Sequence, residues 1–453
     1  MQDPSRRGSA LNIAVIGSGI AGLGATWLLD RHHHVTLLEA GPTLGGHSNT
    51  VTVDDGGSEL AIDTGFIVYN APNYPNLVAL FDHLGVTTHA SDMSFAASLD
   101  DGQFEYAGSD LAGLLAQPRN LLRSRFWRMM LDIMRFYREA PGYLAGPDAD
   151  LSLRELITRH GYSDAFSRDH LLPMAAAIWS ASAADIGHYP ARAFIQFCMN
   201  HGLLQVSDRP HWRTVLGGAR EYVRRLRAEL RGVVMTNAAV HSIERRPDGV
   251  DVVLAAGQVR HFDHVVLATH ADQALALLKA PSSAEQKLLG AFRYARNTAY
   301  LHTDVSFMPR RRRAWASWNF LSRAHSDDNA ALCVSYWMNR LQALSTQQQW
   351  FVTLNPPEPP LMEKTHYSTV YEHPQFDSAA LAAQHALWTI QGVNRTWFCG
   401  SYCGYGFHED GLQAGLLVAE RLGGEKRPWA QPSQASRVPL PPLASDGPVA
   451  NAA

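Results

Sequence analysis

The stretch from Ile13 to His47 limits what this chain can fold into more than any other. The apolar run Ile13–Ile16 predicts a buried parallel strand, and Gly17-Ser18-Gly19-Ile20-Ala21-Gly22 turns straight into a helix. Gly17 permits the tight turn, Gly19 lets backbone approach a pyrophosphate, and Gly22 lets helix pack on strand. The phosphates then sit over free N–H groups at the positive end of the helix dipole. A second strand, Val35–Leu38, ends in Glu39-Ala40, and Glu39 lies 22 residues after Gly17. A carboxylate there accepts hydrogen bonds from ribose hydroxyls and repels a 2′-phosphate. The pair Gly45-Gly46 follows. A nicotinamide dinucleotide needs no glycines at that point, whereas an extended FAD passes close to backbone a second time.

Bulk properties narrow the remainder. The chain has 453 residues, enough for two or three domains and a large core. A formal net charge of −3 argues against a nucleic-acid partner. Cys198, Cys333, Cys399 and Cys403 show neither a paired framework nor zinc spacing, and metal ligation is not expected. They read as buried thiols in a reducing compartment, which makes a cytoplasmic location the expectation. The first apolar run is the nucleotide-binding strand, so no secretory signal is expected, and no run approaches the length of a membrane span.

Three separated segments, 1–80, 215–275 and 391–425, read as one discontinuous FAD-binding domain. The second begins at Gly217-Gly218 with a helix over Glu221–Leu230. Short strands follow at Val233–Thr236, Val240–Glu244 and Val250–Leu254, and Val265–Thr269 reads as a buried strand leaving that meander. The third holds a strand over Thr396–Gly400 and a helix opening at Phe407–Gly415, where Gly411 and Gly415 let a ligand or strand come close. Residues 81–214, helical and Arg-rich, and 276–390, strand-like and aromatic, read as a substrate domain inserted twice. Residues 426–453, rich in Pro, Ala and Ser, read as a disordered tail.

With these residues in place, the chain resembles the flavin-dependent amine oxidase and phytoene desaturase superfamily. It is similar in particular to bacterial predicted NAD/FAD-binding oxidoreductases associated with cyclopropane fatty acid synthases. The marks are Leu44–Thr50, Asp63–Asn70, Ser91–Phe95, His211–Gly218, Ala268–Ala274 and Cys403–Gly415. The resemblance implies an α/β architecture: a Rossmann-like FAD-binding domain of the GR2-type flavin amine oxidase fold with an inserted α+β substrate domain. It implies Glu39 on the adenosine ribose and Gly45, Gly46 and His47 along the pyrophosphate. Gly65 and Phe66 would approach the isoalloxazine ring, and Val240 the adenine end. Asp410, Gly411 and Leu412 would meet the ribityl and pyrimidine end, and Gly400 is a further cofactor-binding candidate. The chain departs from the general pattern at Thr43 and His47, where relatives carry Arg, a bidentate phosphate clamp that neither replacement supplies.

The chemistry would belong to the flavin, with protein placing a substrate C–H bond and excluding water. The candidate catalytic residues are Tyr405, His408, Tyr402 and Tyr69. Tyr402 and Tyr405 would flank a substrate nitrogen as the aromatic pair of amine oxidases does, Tyr69 would line the ring face, and His408 would exchange a proton near neutral pH. The leading expectation is an FAD-dependent oxidoreductase removing hydride from an apolar small molecule or lipid such as a fatty acyl chain. The alternatives are an amine oxidase releasing hydrogen peroxide and a non-redox flavoprotein, either an isomerase or a holder of structural FAD. The Met- and Arg-rich segment Leu121–Arg138 suits either an ordinary packing helix or peripheral contact with the inner membrane surface, as does Arg310–Arg313 beside Trp315 and Trp318. Substrate, electron acceptor, oligomeric state and any covalent flavin link are left open.

Overall fold

Asn12–Ile16 is the middle strand of a five-stranded, all-parallel sheet in the computed structural model, which describes residues 9–179, 183–205, 209–323, 333–430 and 437–438. The strand order is Val233–Met235, His34–Leu38, Asn12–Ile16, His264–Leu267, Thr396–Phe398. A strand buried on both faces has no alternation, and Ile13 to Ile16 are all buried. The chain leaves Asn12–Ile16 to one neighbour and returns on its other side. Its carboxyl end is therefore the switch point at which doubly wound sheets bind ligands.

The described parts of residues 1–46, 226–292 and 379–453 form one compact unit, and those of 47–225 and 293–378 form the other. These boundaries differ from the expected 1–80, 215–275 and 391–425. Residues 47–80 and 215–225 group with the second unit, because Thr50–Asp54 and Glu59–Asp63 pair with each other and Trp212–Val215 pairs with Tyr69–Asn70 and Thr88–Ser91. Residues 276–292 and 379–390 group with the first. Most of the expected tail lies outside the described residues.

In the first unit, Val240–Arg245, Val250–Leu254 and Val259–Phe262 form the meander. Val233–Met235 does not belong to it; this strand pairs parallel with His34–Leu38 and forms the edge of the main sheet. The second unit is built on a seven-stranded sheet. Its order is Thr365–Gln375, Arg293–His302, Phe351–Leu354, Cys333–Trp337, Trp318–Leu321, Phe95–Leu99, Phe104–Ala107. Two strands thus come from the region read as helical. Helices Ser124–Tyr143, Leu153–Arg159, Leu172–Trp179 and Ala191–Asn200 belong to this unit as well. No helix among the described residues is long and apolar enough to cross a membrane.

The basic run Arg310–Arg313 is partly tied into the fold. The fully buried Glu105 carboxylate accepts from the Arg310 N–H at 2.7 Å, the Arg311 N–H at 3.2 Å and the Arg311 guanidinium at 2.8 Å. Arg312 lies over Trp315 at 3.7 Å and over Trp337 at 4.7 Å. A buried carboxylate needs such donors, and the guanidinium gains on the indole faces, so Arg311 and Arg312 are held by the fold while Arg310 and Arg313 stay exposed.

Candidate active site

The glycine turn is shaped by contacts that no other residue allows. Gly17 has φ +97°, and a Cβ on Gly22 would lie 1.9 Å from the Gly17 carbonyl oxygen. Gly19 differs in kind: a Cβ there would meet nothing within 4 Å. Its bare face is open space at the start of the Ile20–Leu29 helix, whose first turn has no side-chain cap and no acidic residue. Ile20 and Ala21 are buried with the rest of that helix.

Two loops are tied to this turn. The Glu39 carboxylate accepts from the Ser18 N–H at 2.9 Å, the Ser18 hydroxyl at 2.5 Å and the Gly41 N–H at 2.7 Å. Ala40, between them, is exposed. The Gly45 N–H donates to the Ser18 carbonyl at 3.0 Å, and a Cβ on Gly46 would stand 3.1 Å from the Gly19 Cα. With φ values of +117° and +58°, both glycines take backbone conformations that L side chains resist. The Ala238 N–H donates to the Glu39 carbonyl at 2.8 Å, which anchors the chain two residues before Val240. Thr43 is exposed.

The other wall of the first unit is the segment from Gly400 into the His408–Arg421 helix. Gly411 and Gly415 do bring something close, but it is the first helix rather than a ligand or strand. Their added Cβ atoms would lie 3.0 Å from Ile20 Cγ2 and 2.1 Å from the Ala21 carbonyl oxygen. Leu412 is fully buried and faces Gly24 in the same seam. The first turns of the two helices therefore abut. Asp410 is buried and accepts from the Phe407 N–H at 2.8 Å, closing the helix start; Arg437 stands 3.9 Å from it. Burial pushes its carboxyl up to about 6, against the pull of Arg437.

Several expected roles are not borne by the geometry. Tyr402 is 1% exposed, packed on Phe292 with ring centroids 5.1 Å apart, because the short Ser401–Cys403 turn points it inward below Gly400. A ring in that position cannot flank a substrate. Tyr405 keeps partial exposure, and burial raises its hydroxyl above the usual phenol range. Desolvation pushes the His408 imidazole down to about 3, against the proton exchange near neutral pH expected of it. A cation in the first turn of a helix is also opposed by the dipole. His408→Gln is accordingly expected to leave the pH profile of flavin reduction unchanged between about pH 6 and 9. A limb lost in the variant by stopped-flow absorbance would contradict the neutral ring.

The second unit holds the remaining candidates. Tyr69 is core: its strand pairs with Trp212–Val215, and its ring packs edge-on against Tyr74 and Phe81. The space beside Gly65 is filled by protein, because a Cβ there would lie 2.1 Å from the His47 carbonyl oxygen. That oxygen also accepts the Phe66 N–H at 2.7 Å, and the Phe66 ring meets Tyr222 edge-on. The His47 ring packs at 5.0 Å on Tyr371 and 5.5 Å on His373.

This ring cluster was missed by sequence reasoning. Tyr371 shares a hydrogen bond of 2.7 Å with the Thr64 hydroxyl, and the Asn49 amide donates to Tyr371 at 3.0 Å and Tyr367 at 3.2 Å. The available signal was the alternation Tyr367, Thr369, Tyr371, His373 along one strand, which puts these side chains on one face.

The open face of Gly19, the uncapped helix start, the pinned Gly45-Gly46 loop and the Glu39 carboxylate fit the pyrophosphate and ribose of an extended dinucleotide. Fold and site thus define a dinucleotide-binding protein of the Rossmann class. Residues 20–347 match the flavin containing amine oxidoreductase family, and the chain belongs to that family, whose cofactor is FAD. The protein named "Putative flavin-containing monoamine oxidase AofH" from Mycobacterium tuberculosis is 28% identical over 270 residues, 55% of this chain and 54% of that protein. The chain therefore matches about half the length of this relative. Among solved structures, a CLA-producing fatty acid isomerase from P. acnes has a TM-score of 0.65 at 16% identity, covering 91% of this chain and 99% of that one. Cyclohexylamine oxidase from Brevibacterium oxydans likewise covers 91% and 99%, with a TM-score of 0.64 at 16% identity. At these identities the likeness is one of fold.

Proposed function

We propose that this chain is an FAD-dependent oxidoreductase that takes hydride from an uncharged, largely apolar substrate, a fatty acyl chain or lipid. Bound FAD would accept the hydride and its electron pair. The chain's own part is to hold the dinucleotide at Gly19, Glu39 and Gly45-Gly46, to place the substrate, and to keep water out.

The observation that carries the substrate class is the desolvation of the thiols and the imidazole in the strand-to-helix turn at residues 399–408. Burial pushes the Cys399 and Cys403 thiols up, the latter to about 12, and holds the His408 ring neutral. The two buried carboxyls that follow face protein: Asp410 accepts from the Phe407 N–H with Arg437 at 3.9 Å, and Glu409 accepts from the Gln413 amide at 2.9 Å. Neutral, desolvated surroundings favour an uncharged substrate over a cation, which needs an anion or an aromatic cage. The fatty acid isomerase among the solved structures of this fold is consistent with an acyl substrate.

Amine oxidation is the second reading, favoured by the His47–Tyr371–His373 ring cluster, which offers aromatic faces that Tyr402 does not. Anaerobic titration separates the two. Flavin absorbance near about 450 nm is expected to bleach with unsaturated fatty acids or phospholipids and to stay unchanged with polyamines and aromatic amines. Bleaching by amines alone, with peroxide formed in air, would replace the first reading by the second.

A further inference from the structure

The Ser124–Tyr143 helix carries two apolar faces, and the protein uses only one of them. Phe126, Met129, Ile133, Phe136 and Ala140 recur at helical spacing and are buried, so the packing requirement of the helix is met by that face alone. On the opposite side Trp127 is 50% exposed and Leu131 69%, with Met134 exposed one turn further on. These three follow the i, i+4, i+7 spacing of one stripe. The preceding turn extends it: the Trp127 indole N–H donates to the Leu121 carbonyl at 2.9 Å, and neighbouring Leu122 is 91% exposed.

Charge says what covers this stripe. Exposed Arg119 and Arg128 have no ion pair among the described residues, and Arg138 lies in line with the stripe one turn past Met134. The acids of the helix are turned to other work. Asp132 accepts from the Ser163 N–H and hydroxyl, and Glu139 is shared by Arg135, Arg138, Tyr143 and Tyr162. Arg125 is held by Asp169 and Asp100. The open face therefore combines indole, leucine and methionine with the exposed guanidinium groups of Arg119 and Arg128 and with Arg138, which is 75% exposed beside Glu139. Such a face suits an interface of acyl chains and anionic headgroups, where Trp sits at the boundary, Met adapts to chains and Arg stays at the headgroups.

We infer that the Leu121–Arg138 face docks this protein on the surface of an anionic lipid bilayer. The helix lies along the surface with Trp127, Leu131 and Met134 in the acyl boundary and Arg119, Arg128 and Arg138 on the headgroups. This inference rests on exposure and charge in the second unit and does not depend on the substrate proposed above.

Flotation of the full, flavin-loaded chain with vesicles tests it. Binding is expected with phosphatidylglycerol mixed into phosphatidylcholine, with little binding to phosphatidylcholine alone, and is expected to weaken as salt rises. Trp127→Glu with Leu131→Glu is expected to lower binding at least about tenfold while circular dichroism and flavin content stay as in the parent. Arg128→Gln with Arg138→Gln, on exposed positions, is expected to remove most of the preference for anionic lipid. Absence of vesicle binding, binding undiminished in the Glu variant, or an unchanged lipid preference in the Gln variant would each overturn the inference. So would sedimentation showing a dimer that the Glu variant splits, since a second copy would then own the face.

Discussion

Gly22→Ala is expected to yield a chain that is destabilised and has lost its flavin, whereas Gly19→Ala is expected to fold as the parent does and lose flavin alone. The two glycines are three residues apart in one turn, and the geometry gives them different reasons to exist. A Cβ on Gly22 would stand 1.9 Å from the Gly17 carbonyl oxygen, so the first helix must move off the turn that aims it. Overpacking against backbone costs about 3 kcal/mol or more, because no rotamer change relieves it. A Cβ on Gly19 meets no protein atom within 4 Å, and its backbone, at φ −63° and ψ 176°, is extended and open to alanine. The thermal midpoint of Gly19→Ala should therefore stay within the effect of one helix cap, about 1 kcal/mol. The added methyl instead occupies the approach of a pyrophosphate, and FAD affinity should fall by about tenfold or more, roughly 1.4 kcal/mol. Flavin content after gel filtration and melting of the apoprotein read the two effects separately. A Gly19→Ala chain with undiminished flavin would move the phosphates away from this turn.

The contrast shows why the cofactor side was legible in the sequence and the substrate side was not. Gly17, Gly22, Gly45 and Gly46 are required by local backbone geometry, so the reason for each lies within a few dozen residues and leaves a fixed pattern. Gly411 was read as a place where a ligand or strand comes close; its neighbour is Ile20, from the far end of the chain, and no local pattern records that. Tyr402 and Tyr405 are equivalent as letters around Gly404. Only the inward Ser401–Cys403 turn and Phe292 decide which one is core. The same holds for Arg311, whose backbone N–H and guanidinium are both held by Glu105, over 200 residues away in sequence. Most of the Rossmann-like sheet was readable because its strands are short runs with an apolar centre, such as Ile13–Ile16 and Val265–Leu267, whereas Val233–Met235 was read into the meander. The second unit's sheet pairs Phe95–Leu99 with Trp318–Leu321 and carries Phe104–Ala107 as its edge, a pairing set by tertiary packing rather than propensity.

Asp63→Ala is expected to cost the second unit about 3–5 kcal/mol, and Asp63→Asn to flatten a pH dependence that the parent shows. The carboxylate is fully buried. Its Oδ1 accepts from the Thr50 hydroxyl at 2.5 Å and the Ala219 N–H at 2.9 Å, and its Oδ2 from the Gln342 amide at 2.9 Å; the Asp63 N–H donates back to Gln342 at 2.9 Å. One side chain thus ties the end of the Glu59–Asp63 strand to the start of the Arg220–Glu229 helix and to the turn after Leu341. Alanine leaves three donors buried without acceptors, and each carries its own desolvation cost. Burial outweighs these bonds in the proton balance and pushes the carboxyl up to about 7. Between the ordinary aspartate value near about 4 and this raised one, the folded chain holds a proton that the unfolded chain has released. Stability attributable to Asp63 therefore falls as pH rises across that window, by at most about 1.4 kcal/mol per pH unit, and is level above it. Asparagine keeps the shape and cannot ionise, so the difference in unfolding free energy between parent and Asp63→Asn should drift in the variant's favour from about pH 4 to pH 7. Denaturant titrations at fixed pH steps measure that drift. A difference that stays constant across the window would place the charge on Asp63 at every pH and require the three donors to outweigh burial.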